Sequence, residues 1–429
     1  MKIRAGMFAA VAAAALATAA GGARAAETDA QIAARVAKVL KATPLIDGHN
    51  DFPEQVRGRW AGKIGGFDMR TNLPGVMTDI PRLHAGMVGG QFWSVFIPGS
   101  VTGPAAVQMT IEQIDIVKKL AARYPADLGM AYSADDIVRL HKAGRVASLM
   151  GVEGGHQIDN SMSVLRAYYD LGARYMTLSH ALDNDFADSA TDNPKHNGLT
   201  PFGKAVVGEM NRLGMLVDLS HVSADVMRQA LAISQAPVIY SHSGARAVND
   251  HPRNVSDDVL ALVAKNHGVV MANFATTYVS DARKRWDADR SAEIARYNTP
   301  PFGGLYIGQP ERAKAALAAW EKAHPKPAVT LAMVADHIEH IRKVCGIDCV
   351  GLGSDFDGIP DTPDGLDGVD KYPALLAELA RRGWSDEDLG KLAGGNVLRA
   401  LRETEAVAKR LQAQAPSEAT IAELDGVAK

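Results

Sequence analysis

His49 and Asp51 close the apolar run that starts at Leu45, in the stretch Leu45-Ile46-Asp47-Gly48-His49-Asn50-Asp51. Strand side chains repeat every two residues, so this imidazole and carboxylate point to one side. Such a pair can hold a first-row metal ion. Taken alone the pattern is weak, because a capped strand end with a surface histidine reads the same way. Repetition strengthens it. Glu153 ends an apolar run inside Gly151-Val152-Glu153-Gly154-Gly155-His156, and His180 ends Thr177-Leu178-Ser179-His180. His221 ends Asp218-Leu219-Ser220-His221, and His242 lies in Tyr240-Ser241-His242-Ser243. Asp355 closes a further run in Gly353-Ser354-Asp355-Phe356-Asp357. Imidazole and carboxylate without thiolate suit zinc, and also manganese, cobalt or iron. The set is too large for one tetrahedral ion. Two ions sharing a carboxylate use it economically, and Glu153, beside glycines that leave room near the backbone, is the candidate bridge.

Other residues of the right type have plainer readings. His156 could compete as a ligand but reads as a loop residue. His337 and His340 lie in His-Ile-Glu-His. They lack the i, i+4 spacing of a helical zinc site and read as packing or surface residues. Asp357 rivals Asp355, which is preferred as the first acid after the apolar strand.

These residues need a scaffold that brings strand ends together. Near-continuous apolar runs occur at Leu45–Asp51, Gly89–Ile97, Val146–Glu153, Arg174–His180, Met215–His221, Pro237–His242, Val269–Phe274 and Val350–Asp355. Such runs fit parallel strands buried on both faces. Amphipathic stretches alternate with them, among them Ile111–Tyr124, Ser163–Leu171, Gly203–Leu213, Ala224–Ser234, Asp257–Asn266 and Met333–Val344. The alternation predicts an α/β fold, a (β/α)8 TIM barrel, whose strand ends meet at one rim. Two long βα loops interrupt it. One is the polar Leu182–Thr200; the other is Ser280–Pro327, with charged helical pieces and a Pro-Pro-Phe-Gly-Gly turn. Residues Tyr372–Val407 read as extra C-terminal helices, one of them capped by Ser385.

Composition narrows the classes. The chain has 429 residues, 47% of them hydrophobic, enough for a large core. A net charge of −3 gives no basic excess for nucleic acid. Lys2 and Arg4, the apolar run Met7–Ala20 and Ala23-Arg24-Ala25 read as a signal peptide over residues 1–25, cleaved before Ala26. The run is short for a membrane span, and no stable membrane anchor is expected. The protein is expected to be exported, periplasmic or secreted, with its barrel over residues 26–411 and a mobile tail over 412–429. Cys345 and Cys349 are the two cysteines. Export would permit a disulfide, but its geometry cannot be read from the sequence.

The motifs at Asp47–Asp51, Gly89–Val95, Gly151–His156, Thr177–His180, Asp218–Ser223, Ser241–Ser243, Arg253–Val255 and Gly353–Gly358 follow one another in a recognisable order. With them the chain resembles the membrane (renal) dipeptidase family of amidohydrolase-type metal-dependent barrels. The resemblance implies two zinc ions per subunit. One would be held by His49, Asp51 and Glu153 and the other by Glu153, His221 and His242, with Glu153 bridging and a shared hydroxide as nucleophile. It implies that His180 polarises the scissile carbonyl, that Arg253 binds the dipeptide carboxylate with help from Tyr278, and that Asp355 handles protons. It also implies a homodimer and a small dipeptide substrate, with a D or dehydro C-terminal residue or a β-lactam among the options. Two alternatives stay open. One is the same site acting on an ester, lactone or N-acyl amino acid; the other is a non-catalytic periplasmic protein that binds metal or peptide.

Overall fold

A computed structural model describes residues 27–301 and 303–426. The proposed signal peptide lies outside the described residues. Nine parallel strands form the sheet: β1 Leu45–Asn50, β2 Val88–Phe96, β3 Leu128–Met130, β4 Val146–Glu153, β5 Ala173–Thr177, β6 Leu216–Asp218, β7 Ile239–Tyr240, β8 Val269–Ala272 and β9 Val350–Leu352. The order runs β2-β1-β9-β8-β7-β6-β5-β4, and β2 pairs with β4 to close an eight-stranded barrel. The closing register runs from Gly90 opposite Ala147 to Phe96 opposite Glu153. This is the expected (β/α)8 barrel. β3 was not expected. It pairs with Val146–Ser148 of β4, below the point where β5 joins at Met150.

The barrel interior is a packed plug. Ile46, Phe92, Leu149, Tyr175, Leu216, Ile239 and Met271 meet there from successive strands. Tyr175 can cross it because residue 151 is glycine. A Cβ at that position would fall 1.9 Å from the tyrosine ring, inside any permitted contact.

The outer helices match their periodicity, with Asp257–Asn266 and the expected Met333–Val344 extended to Leu331–Cys345. The alanine-rich helix Asp29–Ala42 was not anticipated. It opens on a capping box between Thr28 and Gln31 and packs on the C-terminal helices. Those helices are Tyr372–Arg381, Asp386–Gly390 and Asn396–Leu411, and Ser385 caps the second through the Asp388 N–H.

The larger insertion is a pair of helices, Asp281–Tyr297 and Pro310–Ala323. Trp286 meets Trp320 at 5.9 Å, and Arg290 pairs with Glu321 at 2.7 Å. The loop at 182–200 is organised by buried Asp188, whose carboxylate accepts from the backbone of Lys195, His196 and Gly198. Cys345 and Cys349 are joined as a disulfide. The stretch after Gln412, expected to be mobile, carries a helix at Ile421–Asp425 that packs on Pro201–Leu213. Ile421 is buried there, and Glu209 accepts from the Ser417 N–H at 3.1 Å.

Candidate metal centre and substrate cavity

Six of the eight barrel strands are shorter than the apolar runs that announce them, β2 and β4 being the exceptions. Only His49 and Glu153 lie within strands; Asp51, His180, His221, His242 and Asp355 sit in the loops just beyond. Those loops turn back sharply. His221 and Asp355 have φ of +67° and +66°, a conformation that costs a non-glycine residue energy and recurs at functional sites.

The side chains converge on Glu153. Its Oε2 lies 3.3 Å from His49 Nε2, and that nitrogen lies 3.2 Å from Asp51 Oδ2. Its Oε1 lies 3.0 Å from His221 Nε2 and 3.5 Å from His242 Nε2. Each carboxylate oxygen therefore faces a different set of partners. Three overlapping groups have their ligand atoms within 4.8 Å of one another: His49, Asp51 and Glu153; Glu153, His221 and His242; and His49, His242 and Asp355. His180 stands beside them, its Nε2 3.6 Å from Glu153 Oε1 and its ring against Phe96 at 4.9 Å.

The residues beneath the cluster aim it. Ser241 Oγ donates to Asp218 Oδ2 at 2.6 Å and sits 2.8 Å from His242 Nδ1. The hydroxyl proton is thus engaged, so His242 donates from Nδ1 and keeps its Nε2 lone pair toward Glu153. Tyr175 plays the same part for His49. Its hydroxyl donates to Gly48 O at 3.2 Å and lies 2.8 Å from His49 Nδ1. Asp47 ties the rim together from below, accepting from Gln91 and from both the N–H and hydroxyl of Ser354. Ser94 donates to Glu153 Oε2 at 3.1 Å. Partners of this kind fix the tautomer and angle of metal-binding side chains.

The electrostatics agree with a cation site. Burial disfavours the Glu153 carboxylate, but the charges of His49 and His180 and a hydrogen bond from His221 hold it well below the carboxylate range. Burial, with Arg253 and His180, pushes His221 well down; burial, with His49 and Arg253, does the same to His242. Neutral imidazole is the form that binds metal. His49 goes the other way. Burial lowers it, but Glu153, Tyr175 and Asp51 outweigh burial and raise it well above the usual value. A site that draws a proton onto His49 also draws a cation. His49 Nε2 and Asp51 Oδ1 are buried without a hydrogen-bond partner. Such orphaned atoms are costly unless something else satisfies them, so the donor set fits resident metal ions.

A cavity of about 410 Å³ opens over the cluster. Asp51, Glu153, His180, His221 and Asp355 form its floor and sides, and Arg253, Tyr278, Phe96 and Glu54 complete it. Arg253 is buried, its Nη2 3.3 Å from His242 O and its guanidinium 5.4 Å from the Tyr278 ring centre. Asn273 donates to Asp355 Oδ2 at 3.0 Å. Burial, opposed by His49 and reinforced by Asp51 and Glu153, pushes Asp355 up to about 7.

All the candidate residues named from the sequence thus come to one place. The rivals do not. His156 joins no metal-binding group among the described residues. Asp357 turns away to accept from the Met77 N–H at 2.6 Å. His340 pairs with Asp257 at 2.8 Å on the outer wall. The glycines after Glu153 serve the chain path rather than making room for metal. Gly154 has φ +118°, and a Cβ there would press on the His156 ring at 2.6 Å. Sequence reasoning missed Asp47, Asp218, Tyr175, Ser94, Asn273 and Glu54. For Asp47 and Asp218 a signal existed: a lone aspartate within an apolar strand just before its histidine.

Comparison with known families decides what this rim belongs to. Residues 33–415 match the model of the membrane dipeptidase family, peptidase family M19. The chain belongs to that family. Membrane dipeptidases are metal-dependent hydrolases, so the membership and the donor set agree. Among solved structures, the probable dipeptidase PvdM from Pseudomonas aeruginosa is 26% identical, with TM-score 0.75 over 88% of this chain and 100% of that one. A metallopeptidase from Rhodobacter sphaeroides, liganded with a phosphinate mimic of the dipeptide L-Ala-D-Ala, shares the fold at 23% identity. Its TM-score is 0.68, over 84% of this chain and 99% of that one. No helix among the described residues is long and apolar enough to cross a membrane.

Proposed function

We propose that this membrane dipeptidase relative is a dizinc dipeptidase that cleaves dipeptides ending in a D-amino acid, an exported enzyme acting outside the cytoplasm. The observation that carries the reading is the sharing of Glu153: one carboxylate oxygen faces His49, the other His221 and His242. His49, Asp51 and Glu153 would hold one ion, and Glu153, His221 and His242 the other. Such ions make water a nucleophile at neutral pH and polarise a carbonyl.

The chain's own groups supply the rest. Arg253 offers a planar fork at the cavity wall, matched to the terminal carboxylate of a dipeptide, and Tyr278 packs over it. That contact sets the peptide bond above the cluster. His180 lies at the cavity edge, where burial, against the pull of Glu153, lowers its pKa. Neutral, it donates one hydrogen bond to the carbonyl oxygen as charge builds there. Asp355 takes the proton released by the attacking water. It returns that proton to the leaving amine as the C–N bond breaks.

The D-residue preference is carried over from the phosphinate bound by the Rhodobacter enzyme. Export suits the Cys345–Cys349 disulfide, since such bonds persist in oxidising compartments. A homodimer belongs to the same reading, for light scattering to decide. The central test loads purified protein with zinc, counts bound ions and assays L-Ala-D-Ala beside L-Ala-L-Ala, a lactone and an N-acetyl amino acid. Two ions per chain with D-dipeptide turnover is the expected result. Occupancy without products would make the protein a binder, and turnover of the lactone alone would change the substrate class.

A further inference from the structure

Most carboxylates lining the cavity already have work in the cluster: Asp51, Glu153 and Asp355. Glu54 does not. It sits in the first turn of the helix Phe52–Trp60, which Asp51 opens, and stands further out along the same wall, its side chain 35% exposed against 5% for Asp51. Its Oε1 accepts from Arg57 Nη2 at a long 3.4 Å. No hydrogen bond reaches Oε2 among the described residues. Arg57 Nη1 in turn donates to Phe96 O at 2.9 Å, so one arginine fixes both the carboxylate and the neighbouring aromatic residue.

The position has a direction. In the barrel order β1 and β2 lie across from β6 and β7. Glu54 and Phe96 follow β1 and end β2, whereas Arg253 follows β7. The cavity therefore sets the Glu54 carboxyl, which burial and then Asp51 push up to about 7, at one side and the Arg253 guanidinium at the other, with the metal cluster between. A dipeptide whose carboxylate meets Arg253 extends its N-terminal residue toward Phe96 and Glu54. An aromatic wall ending in a carboxylate fits an alkyl stem that carries a cation.

We infer that Glu54 is a specificity-determining residue that favours dipeptides with a positively charged N-terminal side chain, such as lysyl or arginyl. The inference rests on the dipeptidase reading above. The α-amine is a less apt partner, because it lies beside the scissile carbonyl, next to Asp51 and Asp355, whereas Glu54 stands at the outer rim.

The test compares zinc-loaded wild type and Glu54→Gln on Lys-D-Ala, norleucyl-D-Ala and Glu-D-Ala, with bound zinc counted in both. Norleucine keeps the stem of lysine without its charge. Wild type should rank lysyl above norleucyl above glutamyl. In Glu54→Gln the lysyl-to-norleucyl ratio of kcat/KM should fall roughly five- to tenfold, carried in KM. Should that variant fail to fold, the wild-type ranking and its decay with added salt still decide. Equal wild-type rates on lysyl and norleucyl peptides overturn the inference. So does an equal loss on all three peptides in the variant, which would assign Glu54 to the α-amine. If wild type cleaves none of the three, the dipeptidase reading itself fails, a result distinct from either.

Discussion

Two regions of this barrel bury histidine, and they do so in opposite ways. His337, in the wall helix Leu331–Cys345, is 1% exposed. Its Nδ1 accepts from the Ala245 N–H at 2.9 Å, and its Nε2 donates to Val279 O at 3.1 Å. Every polar atom of that ring is used. At the rim His49 is equally buried, yet its Nε2 has no hydrogen-bond partner. His221 and His242 turn their Nε2 atoms toward each other at 2.9 Å. Burial is common to both regions, but His337 spends both ring nitrogens on the backbone, whereas at the rim three imidazoles converge on one carboxylate. The first arrangement holds a fold together, and the second has the donor chemistry of a metal site.

The comparison breaks most easily at Glu153. Replacing it with Ala removes the group shared by both donor sets. Dipeptide turnover should fall by at least about a thousandfold, beyond the usual cost of one oxyanion donor, with loss of bound zinc in the same preparation. Retained zinc and near-normal kcat would mean the rim is not the metal centre. Arg253→Ala should lower kcat/KM by roughly a hundredfold, the value of a forked charge-assisted contact, while zinc content stays at the wild-type level. Equal loss of zinc would move Arg253 from the substrate to the cluster.

Chelation sharpens the contrast from the other side. Asp51, Glu153 and Asp355 crowd one small volume, so stripping the ions should lower Tm by several degrees, restored by zinc. His337→Ala should do the reverse. It leaves a buried N–H and a buried carbonyl without partners, at a cost of about 2–4 kcal/mol in urea unfolding, with zinc stoichiometry untouched. A zinc deficit in that variant would erase the distinction between the two regions.

How far the sequence revealed this depends on what each residue needs. Val146–Glu153 reads correctly because eight residues buried on both faces leave a continuous apolar signature. Leu128–Met130 escapes because three residues, one of them glycine, carry no period. His49, Glu153 and Asp355 stood out because polar groups ending apolar runs are conspicuous. Tyr175 could not stand out. It looks like any strand aromatic until folding puts its hydroxyl beside His49. Glu54 looks like an ordinary acid in a first helical turn, and only the closed barrel reveals that it faces Arg253 across a cavity. Ser417 and Ile421 lie in a polar stretch whose partners, Glu209 and the helix Pro201–Leu213, are far away in the chain.

That C-terminal stretch gives the smallest effect and a pH signature of its own. Glu209 is buried, which pushes its pKa up, but hydrogen bonds from Arg212, the Ser417 N–H and Arg166 outweigh burial and hold it below its ordinary value. The folded chain then binds the Glu209 proton less readily than the unfolded chain does. The resulting stability is complete above the unfolded carboxylate pKa and disappears as pH falls through the lower folded one. Glu209→Gln should therefore cost about 1–2 kcal/mol at neutral pH, and the gap to wild type should close on acidification below the ordinary glutamate range. Zinc content and dipeptide turnover at neutral pH should not change, because the ion pair lies on the outer helix and the cluster at the rim. A gap that stays constant down to the acid limit would mean Arg212, Arg166 and Ser417 recognise the shape of the side chain rather than its charge.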